Sequence, residues 1–146
     1  MEMTWEDKKW VYNVPFALVP PMLIEQLRGK QFTLAEYEQW CEFMDDVPNI
    51  WNHALCDKDN NILYFVYGSI NYLEKEIEVK RISMVPFYFP LKWEFIKRGL
   101  TSLEEYARKF DIKTIYSITD RWEGYMKNLP EGKAKVLDMR IVEVVW

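Results

Sequence analysis

The sequence predicts a mixed α/β (α+β) fold: a central mixed sheet with an antiparallel N-terminal meander and a parallel strand pair, and helices on both faces. Two helical patterns precede three strand-like segments joined by short polar turns, and such segments pair as an antiparallel meander. A long helical pattern then separates the third strand from a fourth, and a strand–helix–strand unit makes a right-handed crossover to a parallel neighbour. The 146 residues suit one domain, 1–146, with a helical segment over 1–48 and a sheet–helix core over 49–146.

Composition argues against several classes of protein. The net charge is −4 and there is no long basic block, so we do not expect nucleic-acid binding. The two cysteines, Cys41 and Cys56, form no CxxC pair, so we expect two reduced, buried thiols and no metal site. The N-terminus lacks the apolar stretch of a signal peptide, and prolines break the apolar run 14–24, so we expect a cytoplasmic protein without a membrane span.

The first third of the chain predicts two helices. Residues 1–13 show no clear period, and Trp5 and Trp10 either pack on the surface of the core or dock on a partner. Proline at the start and glycine at the end predict a short helix over Pro21–Gly29. Thr33 and Glu36 form a capping box, and the apolar stripe behind them predicts a helix that ends near Asp45–Asp46.

Three strands are predicted next, over Asn49–Cys56, Ile62–Tyr67 and Glu76–Val85. The segment Asp57–Asn61 between the first two is dense in turn-forming residues, so these strands form a hairpin. Gly68, at the end of the second strand, marks a bulge or a bend.

The third strand contains a phase slip. Ile77 and Val79 share one parity, whereas Ile82 and Met84 have the other, and a slip of one residue turns the apolar side over. Either a β-bulge at about Lys80–Ile82 restores one apolar face, or the end of the strand is buried on both sides. The pattern alone does not decide between these alternatives.

An aromatic loop, Pro86–Pro90, leads into a helical pattern from about Leu91 to Phe110. We favour one helix with a weak point at Gly99 over two helices that meet there, because the apolar stripe keeps its phase. The remaining predicted elements are a short strand (Thr114–Ile118), a helix capped by Asp120 (Arg121–Asn128) and a closing strand (Ala134–Val145).

Three segments carry a family resemblance: the strand end Ile82-Ser-Met-Val-Pro-Phe-Tyr88, the helix end Leu103–Lys109 and the short helix Arg121–Leu129. With the element order from about Asn49 to the C-terminus, they make the chain similar to the GNAT superfamily of acyl-CoA-dependent N-acyltransferases. The resemblance implies the fold described above and a diverged member of the superfamily. Phage genomes are one place where such diverged domains occur.

In that family a [Gln/Arg]-x-x-Gly-x-[Gly/Ala] loop after the third strand cradles the pyrophosphate of coenzyme A with backbone N–H groups. The corresponding segment here, 87–94, has no glycine, and Pro90 removes one N–H donor. By the resemblance, the residues that would contact the cofactor are Val85, Tyr88, Lys92 and Trp93.

The family often places a general-acid tyrosine three residues before the leucine that ends the short helix. Counting back from Leu129 gives Met126, so Tyr125 is one residue out of position, about 100° around the helix. A shifted helix would restore Tyr125 as the acid, and we keep it as the candidate.

For the general base, the resemblance implies a carboxylate near the strands around the cofactor, and Glu78 is our candidate, with Glu74 and Glu76 in the same region. The single histidine, His53, lies on a predicted strand without a visible Cys or Ser partner, which argues against a hydrolase triad.

Two functions are therefore considered. The first is a catalytically degenerate GNAT-like domain that has no cofactor and acts through protein–protein interaction. Its location is the cytoplasm or, in a phage, the virion as a particle component. The alternative is an N-acetyltransferase that uses acetyl-CoA with an atypical pyrophosphate loop.

If Phe89 or Trp93 fills the cleft beside the third strand, coenzyme A has no room. The aromatic contact anchors of the first hypothesis are Trp5, Trp10, Phe87, Phe89 and Trp146. The oligomeric state is left open.

Overall fold

The structure is a computed structural model that describes residues 3–28, 31–119 and 122–134. Its strands are β1 (Lys9–Tyr12), β2 (Ile50–Cys56), β3 (Ile62–Asn71), β4 (Glu76–Met84) and β5 (Thr114–Tyr116). Its α-helices are α1 (Pro21–Arg28), α2 (Leu34–Asp46), α3 (Lys92–Lys109) and α4 (Trp122–Asn128), and two 3-10 helices cover Phe16–Leu18 and Pro86–Leu91.

The strands form one sheet in the order β1-β2-β3-β4-β5. The pairs from β1 to β4 are antiparallel, and β4 pairs with β5 in parallel. This mixed sheet, with helices on both faces, is the predicted fold class. Among the described residues, no helix has both the length and the apolarity that crossing a membrane requires.

The strand β1 was not predicted, and it corrects our description of residues 1–13 as lacking an element. Its four residues pair with β2, with Lys9 opposite Cys56 and Tyr12 opposite His53. Four residues are too few to show a period, and the strand depends on its distant partner for stability.

Each face of the sheet has its own apolar core. On one face α3 packs on the sheet through residues such as Phe95 and Leu103, and we call this the α3 face. On the other face α1 and α2 pack through Leu23, Ile24 and Tyr37, which we call the α1/α2 face. The two thiols, of Cys41 and Cys56, are free and buried, both on the α1/α2 face.

The phase slip in β4 is a β-bulge. Tyr67 of β3 lies opposite Arg81, and the next residue, Gly68, lies opposite Val79, so Lys80 is an extra residue in β4. The bulge brings the four apolar residues of β4 to the α3 face: Ile77, Val79, Ile82 and Met84. A Cβ on Gly68 would lie 1.8 Å from the carbonyl oxygen of Glu78, so only glycine fits opposite the bulge.

The helix α3 is continuous through Gly99, which confirms the prediction of one helix. A Cβ at Gly99 would lie 3.2 Å from the Tyr64 hydroxyl, so the glycine lets the helix approach the sheet closely. Other boundaries differ by a few residues, with β3 extending to Asn71 and β5 ending at Tyr116. Parts of the remaining predictions lie outside the described residues: the helix end at Gly29, the cap Asp120, the helix start Arg121 and the closing strand after Ala134.

Candidate functional site

The parallel strands β4 and β5 pair over only three positions and then part. Glu76, Ile77 and Glu78 lie opposite Thr114, Ile115 and Tyr116, respectively. One residue further, the Ser117 hydroxyl donates to the carbonyl oxygen of Val79 over 3.0 Å. This side-chain hydrogen bond follows the last paired position of the two strands.

Beyond Val79 and the bulged Lys80, residues 81–83 pair with β3 on one side and with no strand of the described chain on the other. We call this the β4/β5 opening, bounded by residues 81–83 and by residues 117–119. Backbone N–H and C=O groups on an unpaired strand edge can bond an extended ligand. In the same segment, the buried Ser83 hydroxyl has no hydrogen-bond partner among the described residues.

Glu78 lies at the start of this opening and contacts residues from both strands. Its Oε2 accepts from Lys80 Nζ over 3.2 Å, and its Oε1 accepts from the Tyr116 hydroxyl over 3.5 Å. The neighbouring Ile77 belongs to the α3-face core, so the side chain of Glu78 projects to the α1/α2 face. Burial, followed by the charges of Glu78 and Glu76, raises the pKa of Tyr116, so its hydroxyl keeps its proton at neutral pH.

Tyr125, the candidate acid, lies elsewhere. Its ring packs against the α3-face core and meets the Trp93 ring edge to face, with 5.2 Å between the ring centroids. The structure thus places Glu78 and Tyr125 on different faces of the sheet. Their roles as base and acid stay predictions.

The loop after β4 is a 3-10 helix with prolines at positions 86 and 90. The Tyr88 N–H donates to the Val85 carbonyl over 2.9 Å, and the Lys92 N–H donates to the Phe89 carbonyl. Since these donors are bonded within the loop, they do not converge on an anion.

The predicted cofactor contacts have other partners. Val85 continues the sheet by donating its N–H to the Leu63 carbonyl over 2.9 Å, and Tyr88 packs against Phe95. The Lys92 ammonium lies over the Trp93 ring, 5.6 Å from its centroid.

Trp93 fills the gap between the first turn of α3 and α4. A Cβ at Gly124 would lie 2.8 Å from the Trp93 ring, so α4 approaches this ring as closely as a glycine allows. Phe89 does not fill this gap, because half of its surface is exposed.

The aromatic anchors divide into two groups. Trp5 and Trp10 are partly buried, against Phe95 and Tyr64 respectively. Both rings cover apolar surface of the α3-face core, which is the first of the two alternatives raised by the sequence, and they are not exposed anchors. Phe87 and Phe89 are exposed as expected. Trp146 lies outside the described residues.

His53 lies in the interior of the α3 face and is fully buried. Neither ring nitrogen has a hydrogen-bond partner in the described part of the chain. Its ring centroid lies 4.2 Å from that of Tyr12 and 5.3 Å from that of Tyr106. Burial lowers the pKa of His53 to about 3, so the imidazole is neutral at physiological pH and has no path to a substrate.

In residues 3–28, 31–119 and 122–134, no group of three or more His, Cys, Asp or Glu side chains is arranged to hold a metal ion.

Sequence reasoning missed Tyr116 and Ser117. The residue opposite Glu78 is set by the register of a parallel pair whose strands are far apart in the chain. No local pattern reports that register, although the predicted strand Thr114–Ile118 includes both residues.

Several solved acetyltransferase structures have the same fold as this chain. The ribosomal-protein-alanine N-acetyltransferase from Brucella melitensis biovar Abortus 2308 superposes with a TM-score of 0.72 at 12% identity, covering 95% of this chain and 99% of that one. A GNAT family acetyltransferase from Staphylococcus aureus has a TM-score of 0.61 at 15% identity, covering 88% and 97%. An aminoglycoside N-acetyltransferase in complex with CoA has a TM-score of 0.63 at 11% identity, covering 95% and 99%.

No protein-family model matches the sequence, and no curated protein matches it significantly. At identities this low, the structural neighbours establish the fold alone. The chain therefore has the GNAT acetyltransferase fold, and its function must be argued from the site.

Proposed function

We propose that the chain is an acyl-CoA-dependent N-acyltransferase, the alternative of the two hypotheses raised by the sequence. The observation that carries the proposal is the β4/β5 opening, which begins directly after Glu78 in a fold shared with acetyltransferases. One of these neighbours holds CoA, and others are a ribosomal-protein-alanine N-acetyltransferase and an aminoglycoside acetyltransferase.

The residues present fit one part of an acyl-CoA and not the other. The backbone of residues 81–83 pairs with no described strand on the side of β5. It suits the amide-bearing pantetheine arm, which can bond to it as an added strand does. The Ser83 hydroxyl lacks a partner in the described structure and adds a polar group to the same segment. In the 3-10 loop the N–H groups of Tyr88 and Lys92 are bonded to loop carbonyls, so these two donors are not free to cradle the pyrophosphate. Lys92, at the start of α3, remains as a point charge for a phosphate.

Glu78 is the proposed general base. An amine at neutral pH is an ammonium ion, which must lose a proton before its nitrogen can act as a nucleophile. Glu78 is partly exposed at the start of the opening and can accept that proton. Lys80 donates to one of its oxygens over 3.2 Å, and the Tyr116 hydroxyl lies 3.5 Å from the other. An acyl-CoA, when bound, supplies the thioester that the amine attacks.

The first test is a titration of the protein with acetyl-CoA and with CoA, in which binding is measured by calorimetry or by the melting temperature of the protein. Ligand at about 100 times its Kd adds about 2.7 kcal/mol to the free energy of unfolding. We expect a clear upward shift in melting temperature. No shift with millimolar acetyl-CoA would overturn the proposal.

The second test replaces the proposed base. We expect Glu78→Gln to lower kcat by about 10²–10⁴-fold while acetyl-CoA still binds. Glu76→Gln is the matched control, since Glu76 lies two residues away on the same face of β4. Equal activity of the two variants would exclude Glu78 as the base.

A second candidate function is a non-catalytic domain that binds another protein, including as a phage particle component. Two observations favour it: Trp93 fills the gap between α3 and α4, and Phe87 and Phe89 expose 67% and 51% of their surfaces. Exposed aromatic side chains are common anchors of protein interfaces. The acetyl-CoA titration separates the candidates, because this one requires that the ligand leave the melting temperature unchanged.

A further inference from the structure

The contact between Glu78 and Tyr116 joins the two strands at the last position where they pair. The Tyr116 hydroxyl donates to Glu78 Oε1 over 3.5 Å, at the outer limit of a hydrogen bond. Such contacts between catalytic groups are often long in the absence of substrate. Both side chains are partly exposed beside the β4/β5 opening, and each projects to the α1/α2 face.

A thioester donor leaves its sulfur as a thiolate, which needs a proton from a nearby acid. Tyr125 is turned to the α3 face, where its ring meets Trp93. Tyr116 carries a hydroxyl beside the proposed base instead. We propose that Tyr116 is the general acid of this site, giving its proton to the leaving sulfur and receiving one from Glu78. This inference rests on the proposed function.

The protons balance without any oxidation or reduction. Glu78 takes one proton from the acceptor ammonium, and the C–N bond forms as the C–S bond breaks. Tyr116 gives the phenol proton to the sulfur, and Glu78 passes its proton to the phenolate oxygen. The surplus proton on the amide nitrogen leaves to water, so the net products are amide, thiol and one proton.

The charge on Glu78 matches this order of events. Besides burial, this charge and that of Glu76 raise the pKa of Tyr116, so the phenol stays protonated before reaction. Once Glu78 has accepted a proton, its contribution to that increase disappears. Tyr116 then becomes a stronger acid at the step that needs its proton.

One test of the coupling needs no donor. In protein with isotope-labelled tyrosine, NMR follows the alkaline titration of Tyr116 in the wild type and in Glu78→Gln. We expect the pKa of Tyr116 to be lower in the variant, because the neighbouring charge is gone. The same pKa in both proteins would overturn the proposed relay.

The second test compares leaving groups. With acetyl-CoA, we expect Tyr116→Phe to lower kcat by about 10²–10⁴-fold at an unchanged KM. With an acetyl thioester of nitrothiophenol, whose thiolate is stable without a proton, the variant should match the wild type. Tyr72→Phe, at an exposed tyrosine outside the site, is the control and should be active with both donors.

Wild-type activity of Tyr116→Phe with acetyl-CoA, or an equal loss with both donors, would overturn the role of Tyr116 and leave the proposed function standing. If the wild type neither binds acetyl-CoA nor transfers its acetyl group, both fail together. The two failures are therefore distinguishable.

Discussion

Gly68 of β3 lies so close to Glu78 of β4 that a Cβ on the glycine would be 1.8 Å from the glutamate carbonyl oxygen. The close approach exists because Lys80 is an extra residue in β4. A single glycine thus holds the bulge that precedes the β4/β5 opening and sets the position of the proposed base.

Gly68→Ala is expected to destabilise the protein by about 3 kcal/mol, because the added methyl group collides with backbone that cannot move away. Urea unfolding of both proteins measures this change. Gly132→Ala is the control: Gly132 has a φ of +78°, and a Cβ added there would meet open space, so only backbone strain of about 1 kcal/mol applies. Equal losses in the two variants would show that the close contact is relieved by movement.

Trp93→Ala is expected to strengthen acetyl-CoA binding about tenfold, equivalent to about 1.4 kcal/mol, while lowering stability. The reason is that the Trp93 ring fills the gap between the first turn of α3 and Gly124. Calorimetry gives the affinity. Trp40→Ala, on the α1/α2 face, is the control and should leave the affinity unchanged. Weaker binding in the Trp93 variant would instead make that ring part of the ligand site.

The stability of the protein is expected to fall as the pH drops from 7 to 5 because of His53. Burial depresses the pKa of folded His53 to about 3, whereas the unfolded value is about 6.5, so below pH 6.5 the unfolded state binds the additional proton. The stability of the fold with a neutral His53 is therefore fully present above pH 6.5 and is lost as the pH falls toward 3. Between pH 7 and pH 5 the expected loss is about 2 kcal/mol.

Urea unfolding at the two pH values measures this loss. His53→Gln has no titrating group at this position, so the difference between pH 7 and pH 5 should largely vanish, whatever the variant's overall stability. His53 is the only histidine in the sequence, so no other imidazole obscures the result. An unchanged pH dependence in the variant would contradict the assigned burial.

Thr33→Ala is expected to cost about 1 kcal/mol of stability. The Thr33 hydroxyl accepts from the Glu36 N–H over 3.2 Å, and Glu36 Oε1 accepts from the Thr33 N–H over 2.9 Å, so the substitution removes half of the capping box of α2. Thermal unfolding gives the change. Thr101→Ala, inside α3, removes only an exposed bond to Lys97 and should alter stability by less than about 0.5 kcal/mol.

The fold could be predicted from the sequence because its main elements carry local signals. The capping box at Thr33 fixed the start of α2, and the apolar stripe fixed the continuity of α3 through Gly99. The slip in β4 was visible, but choosing a bulge required the partner strand, since Gly68 supplies the space. The strand β1 had no signal of its own, because its stability comes from β2.

The site was less predictable because it depends on the registers of distant segments. Glu78 was predicted because it lies in the region where the resembled family places its general base. Its partner Tyr116 follows from the parallel register alone. The contact between Trp93 and Gly124 likewise depends on how two helices meet. The absence of glycine from the loop is visible in the sequence. The 3-10 conformation of the loop, in which N–H donors bond to loop carbonyls, was not predicted.

The burial of His53 among aromatic rings also makes this side chain a spectroscopic reporter. Its centroid lies 4.2 Å from that of Tyr12 in β1 and 5.3 Å from that of Tyr106 in α3, so ring currents must displace its proton resonances. Because it is the only histidine in the sequence, isotope-labelled histidine gives a single set of imidazole resonances. Any movement of α3 against the sheet, such as one that makes room for a ligand near Trp93, would shift these resonances in a spectrum of the labelled protein.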